Sequence, residues 1–118
     1  MENNFTEDQF NDRLLSFVEG AQKIVDAHHE GFWNDAESLA QQRETLEINP
    51  KSRRYVGIFA KRGCDEKAGR IWAFVDTTNG NVLKPASWRA PAKHSRGNIF
   101  DAHNGLKYVT HFGPAYLR

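Results

Sequence analysis

A change of hydrophobic period near residue 43 limits this chain more than any other feature. Upstream, Phe10, Leu14, Phe17, Val18, Ala21, Ile24 and Val25 recur at helical spacing. Downstream, Thr45–Ile48, Arg54–Lys61 and Arg70–Thr77 alternate or run apolar with β-branched and aromatic residues. A stripe on one helix needs a flat apolar surface to cover, and a sheet needs a lid. The pattern therefore predicts an α+β domain: an N-terminal amphipathic helix packed on a four-stranded antiparallel meander. A basic loop or short helix and a short C-terminal segment are expected to follow. The expected division is helix over 1–31, sheet over 43–85, and basic region and tail over 86–118, all in one domain. At 118 residues the chain is the size of one core.

Local chemistry supports the helix start. Thr6 and Gln9 stand at capping-box spacing, with Phe5 and Phe10 at the hydrophobic-staple positions. Glu7 and Asp8 suit the positive end of the helix dipole. The helix is expected over Phe5–His28, with Gly31 as its stop. Asn34 or Asp35 would cap a second short helix, if 32–42 is not a loop. Asn49-Pro50-Lys51-Ser52 has turn chemistry. Gly63–Gly69 reads as a polar loop. Asn79-Gly80 predicts a type I′ hairpin turn, after which Asn81–Lys84 returns and Pro85 ends the strand. Pro91 would open a short helix through Ala92-Lys93-His94, and Leu106–Phe112 would form a last short strand.

Composition narrows the function class. Hydrophobic residues make up 39% and charged residues 26%, which fits a folded globular chain. The apolar runs are too short to span a bilayer, and the acidic, polar N-terminus does not read as a signal peptide. A single cysteine, Cys64, excludes an internal disulfide and a cysteine-rich zinc site. A cytoplasmic protein with no membrane partner is expected, and the oligomeric state stays open.

The net charge of +1 hides a division. Residues 1–50 hold 11 acids and 3 bases, whereas 51–118 hold 4 acids and 13 bases. The acidic half either docks on the basic half or leaves a basic face for an anionic partner. The densest basic stretch, Lys84 to Asn98, contains no acid. There Lys84, Arg89, Lys93 and Arg96 suit phosphates, Trp88 offers a stacking face, and Asn98 and Ser95 add hydrogen bonds beside His94. Tyr55, Trp72 and Tyr108 are further aromatic candidates, Trp72 more naturally as core. Lys84, Trp88, Arg89, Lys93, His94, Arg96 and Asn98 are the expected nucleic-acid or nucleotide site.

A second reading is catalytic. His94, Asp101, His103, Asn104 and His111 fall close together and suggest metal or acid–base chemistry on a phosphodiester. The spacing of a ββα-metal nuclease is missing, so no catalytic residue, metal or cofactor is expected. A third reading is an interaction protein, with Glu7, Asp12, Glu19, Asp26 and Glu30 facing a basic host surface.

The phrase from Phe74-Val75-Asp76 to Phe100-Asp101, with Thr78-Asn79-Gly80, Leu83-Lys84, Ala86-Ser87-Trp88, Ala90-Pro91-Ala92-Lys93-His94 and Arg96-Gly97-Asn98-Ile99 between, resembles a family of small bacteriophage-encoded proteins. The upstream Arg54-Tyr55-Val56 and the ending Ala115-Tyr116-Leu117-Arg118 fit the same pattern. Asn81 stands where the pattern has aspartate, and Arg89 where it has lysine. The resemblance implies a phage or prophage origin and an intracellular life, and it brings no activity.

Overall fold

The computed structural model describes residues 5–32, 35–49, 54–63, 65–87, 91–111 and 113–114, with the side chains of 65–68 excepted. Among the described residues two helices precede seven strands: α1 (Glu7–Phe32), α2 (Ala36–Gln42), β1 (Glu44–Ile48), β2 (Tyr55–Arg62), β3 (Asp65–Asp76), β4 (Asn81–Pro85), β5 (Pro91–Asn98), β6 (Val109–Thr110) and β7 (Gly113–Pro114). The main sheet is an antiparallel meander in the order β1-β2-β3-β4-β5, and β6 pairs with β7 in a separate hairpin. The α+β class agrees with the sequence pattern. The strand count does not, because the sheet has five strands rather than four.

The helix begins as its sequence predicts. The Thr6 amide donates to Gln9 Oε1 at 2.9 Å, and the Gln9 amide donates to Thr6 Oγ1 at 3.1 Å. Both halves of the capping box are made. The Phe5 and Phe10 rings lie 5.8 Å apart, and Phe5 also stacks on Phe100 at 4.4 Å. The helix runs through Gly31 to Phe32, beyond the expected stop, since one exposed glycine costs a helix only about 1 kcal/mol. Its buried stripe is Phe10, Leu14, Phe17, Ala21, Val25 and His29. Asp35 caps α2, accepting from the Ser38 amide at 2.5 Å.

The stripe packs on one face of the sheet, against Leu46, Val56, Ile58, Ala60, Trp72, Ala73, Val75 and Val82. Strict alternation would not put Trp72 and Ala73 on the same face. The β2–β3 register explains it: Ile58 pairs with Ala73 and Phe59 with Ile71, so Trp72 is the extra residue of a bulge. Trp72 is fully buried, 6.3 Å from the Phe17 ring, and its indole N–H donates to the His111 carbonyl at 3.3 Å. On the opposite face Phe74 pairs with Leu83, and both are buried.

Three local expectations are corrected. Asn79-Gly80 is not a type I′ turn. The reversal is Thr77–Gly80, where the Gly80 amide donates to the Asp76 carbonyl at 2.7 Å. Gly80 has φ of 82°, whereas Asn79 stays at negative φ. The Asp76 carboxylate, accepting from the Thr78 amide (2.8 Å) and hydroxyl (2.6 Å), stabilises this longer turn instead. Gly63–Gly69 is mostly strand, because β3 starts at Asp65. Pro91–Asn98 is β5, not a short helix. Proline lacks an amide donor but is tolerated at the first residue of an edge strand. Among the described residues of Leu106–Phe112, the strand is Val109–Thr110. The Pro50–Ser52 turn, Cys64 and the tail Ala115–Arg118 lie outside the described residues.

The segment 98–106 is tied to α1 by polar contacts. Arg13 Nε donates to the Ile99 carbonyl at 2.7 Å and its Nη2 to the Asp101 carbonyl at 2.8 Å. Asn104 Nδ2 donates to the carbonyls of Arg13 (3.0 Å) and Ile99 (2.7 Å). Gly20 leaves room for Leu106 to press on the helix where a Cβ would collide with it. Among the described residues no helix is long and apolar enough to cross a membrane.

Asp76 is the most buried carboxylate in these ties, at 3% exposure. Burial works against its charge, yet hydrogen bonds from Arg54 and Thr78 outweigh it and hold its pKa below the ordinary value. A depressed carboxylate stabilises the fold above its ordinary pKa and loses that effect as pH falls through the folded value. Asp76→Asn is therefore expected to cost about 1–3 kcal/mol at neutral pH. The gap from the parent protein narrows in urea unfolding repeated at about pH 3.

Candidate phosphate-binding surface and a histidine–arginine cleft

The described residues of the sequence-predicted site differ in exposure. Its strand β5 is the outermost strand next to β4, and Lys93, His94 and Ser95 are exposed on it in succession. Lys84 is half-buried, its Nζ donating to the Pro114 carbonyl at 3.3 Å under the β6–β7 hairpin. Arg96 is buried at 8% exposure, at the register shift between β4 and β5, and its guanidinium donates to the His94 carbonyl. Burial, then the charges of Arg96 and Arg70, push the Lys84 pKa down. These cations of β3, β4 and β5 therefore sense one another. Asn98 faces inward. Its Nδ2 donates to the Asn79 carbonyl (2.7 Å) and Asn81 Oδ1 (2.9 Å), while its Oδ1 accepts from the Phe100 amide (2.8 Å). It clamps the β3–β4 turn to the end of β5. Trp88 and Arg89 lie outside the described residues.

The charge division of the sequence becomes spatial because the strands follow chain order. Acids concentrate on α1, α2 and β1, and bases on β2 to β5. Among the described residues, ion pairs joining the two halves are Lys61–Glu47 at 2.9 Å and Arg70–Glu44 at 3.6 Å, both on the β1 side of the sheet. No ion pair among them joins Lys93 to a carboxylate of α1.

Two members of the catalytic constellation, Asp101 and Asn104, make structural contacts. The Asp101 carboxylate accepts from the amides of Asn98 (3.2 Å), His103 (2.8 Å) and Gly105 (3.0 Å). Burial opposes its charge, but these bonds prevail and lower its pKa. Asn104, at φ 53°, anchors α1. His111 is elsewhere, stacked on His28 with centroids 3.4 Å apart and planes 6° from parallel. Among the described residues no three His, Cys, Asp or Glu side chains are arranged to hold a metal ion.

Two cavities matter. The larger, about 560 Å³, lies between the start of α1 and the β1–β2 end of the sheet, lined by Phe10, Leu14, Ile48 and Val56 with Glu7 as its charged side chain. Among the described residues that line it there is no lysine or arginine. The smaller, about 280 Å³, opens where α1 ends against the β6–β7 hairpin, and it is lined by His28, His29, Phe32, Gln42, Glu44, Arg62, Arg70 and His111. The helical stripe places His29 here, one turn after Val25. The apolar spacing of α1 would continue at His28, but the buried stripe takes His29 and leaves His28 exposed. Only the fold adds His111 from a hairpin and the arginines from β2 and β3.

Within this cleft Glu44 lies 3.6 Å from both His29 and Arg70. Burial, then His28 and His29, lower the His111 pKa, with Glu44 opposing and Arg70 adding to the depression. A depressed imidazole favours the folded state above its ordinary pKa, and that stabilisation fades as pH falls through the folded value. Thermal melts are expected to show stability dropping between about pH 7.5 and pH 5.5, and His111→Gln is expected to flatten that slope.

Neither curated proteins nor solved structures gave a match to the chain. One family model matches residues 3–115, nearly the whole sequence. The chain therefore belongs to a family of unknown function, DUF7717.

Proposed function

We propose that this protein binds phosphate-bearing polymers, single-stranded or non-specific nucleic acid, at its β5 edge, and that it works in the cytoplasm of a phage-infected cell. The phage setting rests on the resemblance of the Phe74–Asp101 phrase. The observation that carries the binding reading is the position of Lys93, His94 and Ser95, exposed in sequence on an outermost strand at the basic side of the sheet. A solvent-exposed cation there can neutralise phosphates and release their counterions. Tyr108, 55% exposed with Lys107 Nζ 5.5 Å from its ring centroid, adds a basic–aromatic pair of the kind on which bases stack. Lys84 and Arg96 supply positive potential from beneath, while Asn98 holds the strand in place.

A second reading has a partner protein add a strand to β5. The outer edge of β5 has no strand partner among the described residues, and such edges are templates for pairing. A complex that survives nuclease and high salt would select this reading.

The nucleic-acid reading is tested by fluorescence anisotropy with labelled single-stranded DNA and RNA at low salt. Binding is expected to weaken steeply as salt rises. Lys93→Ala is expected to weaken it for all sequences alike and to lower the slope of log K against log salt by about one. No anisotropy change with either oligonucleotide overturns the proposal.

A further inference from the structure

The apolar cavity at the start of α1 is a gap in the contact between helix and sheet. Alternation along β1 turns Glu44, Leu46 and Ile48 toward α1. Glu44 and Leu46 are buried there, at 8% and 6% exposure, but Ile48 is 38% exposed. Ile48 borders the cavity of about 560 Å³, together with the buried side chains of Phe10, Leu14 and Val56. That volume falls within the range of roughly 300–1,000 Å³ typical of small-molecule sites. Water against apolar walls is readily displaced by an apolar body. The polar groups of the rim are weighted toward acceptors. The Thr77 hydroxyl donates to the Arg54 carbonyl at 2.7 Å, and the Thr78 hydroxyl donates to Asp76 at 2.6 Å. With their protons committed, both threonine oxygens offer the cavity lone pairs only. Glu7 and Asp8 both suit the dipole of α1, but of the two it is Glu7 that lines the cavity. Glu7 makes no ion pair among the described residues. Arg54, which holds Thr77, has its guanidinium on Asp76 at 2.8 Å.

We propose that this cavity binds a small apolar amine, an arylalkylammonium ion, with its ring against Phe10, Leu14, Ile48 and Val56 and its ammonium group on Glu7. An ammonium group carries N–H donors and no acceptor, which matches a rim of one carboxylate and two hydroxyl oxygens. An anionic ligand would meet Glu7 with no lysine or arginine among the described lining residues to offset it. A neutral ligand would fill the apolar part and leave the carboxylate without a charged partner. The cavity's size suits one ring system on a short chain rather than a polymer. The site is at the β1–β2 end of the sheet, separate from β5, and does not depend on nucleic-acid binding there.

The test uses the full chain and three probes that share one ring system: tryptamine, tryptophol and indole-3-propionate. Isothermal titration reads affinity, and methyl signals in two-dimensional NMR read the place of binding. Tryptamine is expected to shift the Leu14, Ile48 and Val56 methyl signals. It is expected to bind about tenfold more tightly than tryptophol, with indole-3-propionate the weakest. Glu7→Gln is expected to weaken tryptamine about tenfold and leave tryptophol unchanged. Asp8→Asn is expected to bind tryptamine as the parent does, which separates a contact with Glu7 from the general negative charge of the helix start. Ile48→Ala is expected to weaken tryptamine and tryptophol alike, by about threefold or more. Glu7, Asp8 and Ile48 are exposed, and dispersed NMR spectra establish that the variants fold. Lys93→Ala is expected to bind tryptamine as the parent does, which separates this site from the β5 surface. Absence of methyl shifts at millimolar tryptamine overturns the proposal. So does equal affinity for the amine and the acid, or a tryptamine affinity that Glu7→Gln leaves unchanged. A dimer in analytical ultracentrifugation that Ile48→Glu disperses also overturns it, since a second copy would then cover the cavity.

Discussion

The structure depends on the contact between Phe17 in the middle of α1 and Trp72 on the central strand. Both side chains are fully buried. Trp72 reaches the helix side because a bulge in β3 adds one residue to the register. That bulge lets a strand with apolar residues at consecutive positions serve both faces of the sheet, Trp72 and Ala73 toward α1 and Phe74 away from it. The indole N–H then holds the β6–β7 hairpin through the His111 carbonyl, so one side chain joins helix, sheet and hairpin. A core built on a few large aromatics is sensitive to their loss, because each buries a large area and leaves a cavity when truncated.

Polar groups do the second part of the assembly. Asp76, Asn98, Asp101 and Asn104 are the residue types a reader of the sequence assigns to chemistry, and here they order turns. Three of them accept hydrogen bonds from backbone amides two to four residues on. Asn104 donates to two carbonyls. Short polar side chains compete well for local backbone groups, which is why they gather at turns. The long phrase from Phe74 to Asp101 is thereby explained largely as folding information. Its turn, its clamp and the loop that grips Arg13 all need particular residues.

The cations divide by depth. Lys84 and Arg96 lie under the hairpin or at a bulge, where burial and like charges raise the cost of each. Lys93 and His94 stay in solvent. Arg62 and Arg70 meet the histidines of α1 and the hairpin in a cleft that has a buried imidazole, a buried carboxylate and an exposed ring. Spacing along the chain could not separate these three groups, because burial is a property of which elements cover a strand. Nor could it bring His28 next to His111, which are far apart in sequence and adjacent only because the hairpin folds back over the end of α1.

By itself the sequence determined the start of α1, its buried stripe, the antiparallel meander and the central place of Trp72. Those features follow from local rules: capping chemistry, hydrophobic period and turn residues act over a few positions. It misjudged the turn at Asn79-Gly80 and the region after Pro85. The Asp76 carboxylate outweighed the dipeptide in the first. In the second, pairing with β4 overrode a weak helical start. Tertiary structure alone decided the fifth strand, the inward course of Lys84 and Arg96, and the cleft of His28, His29, His111, Arg62 and Arg70. Each of these arises from contacts between segments distant in the chain, and their free energy is not encoded in any single window of residues.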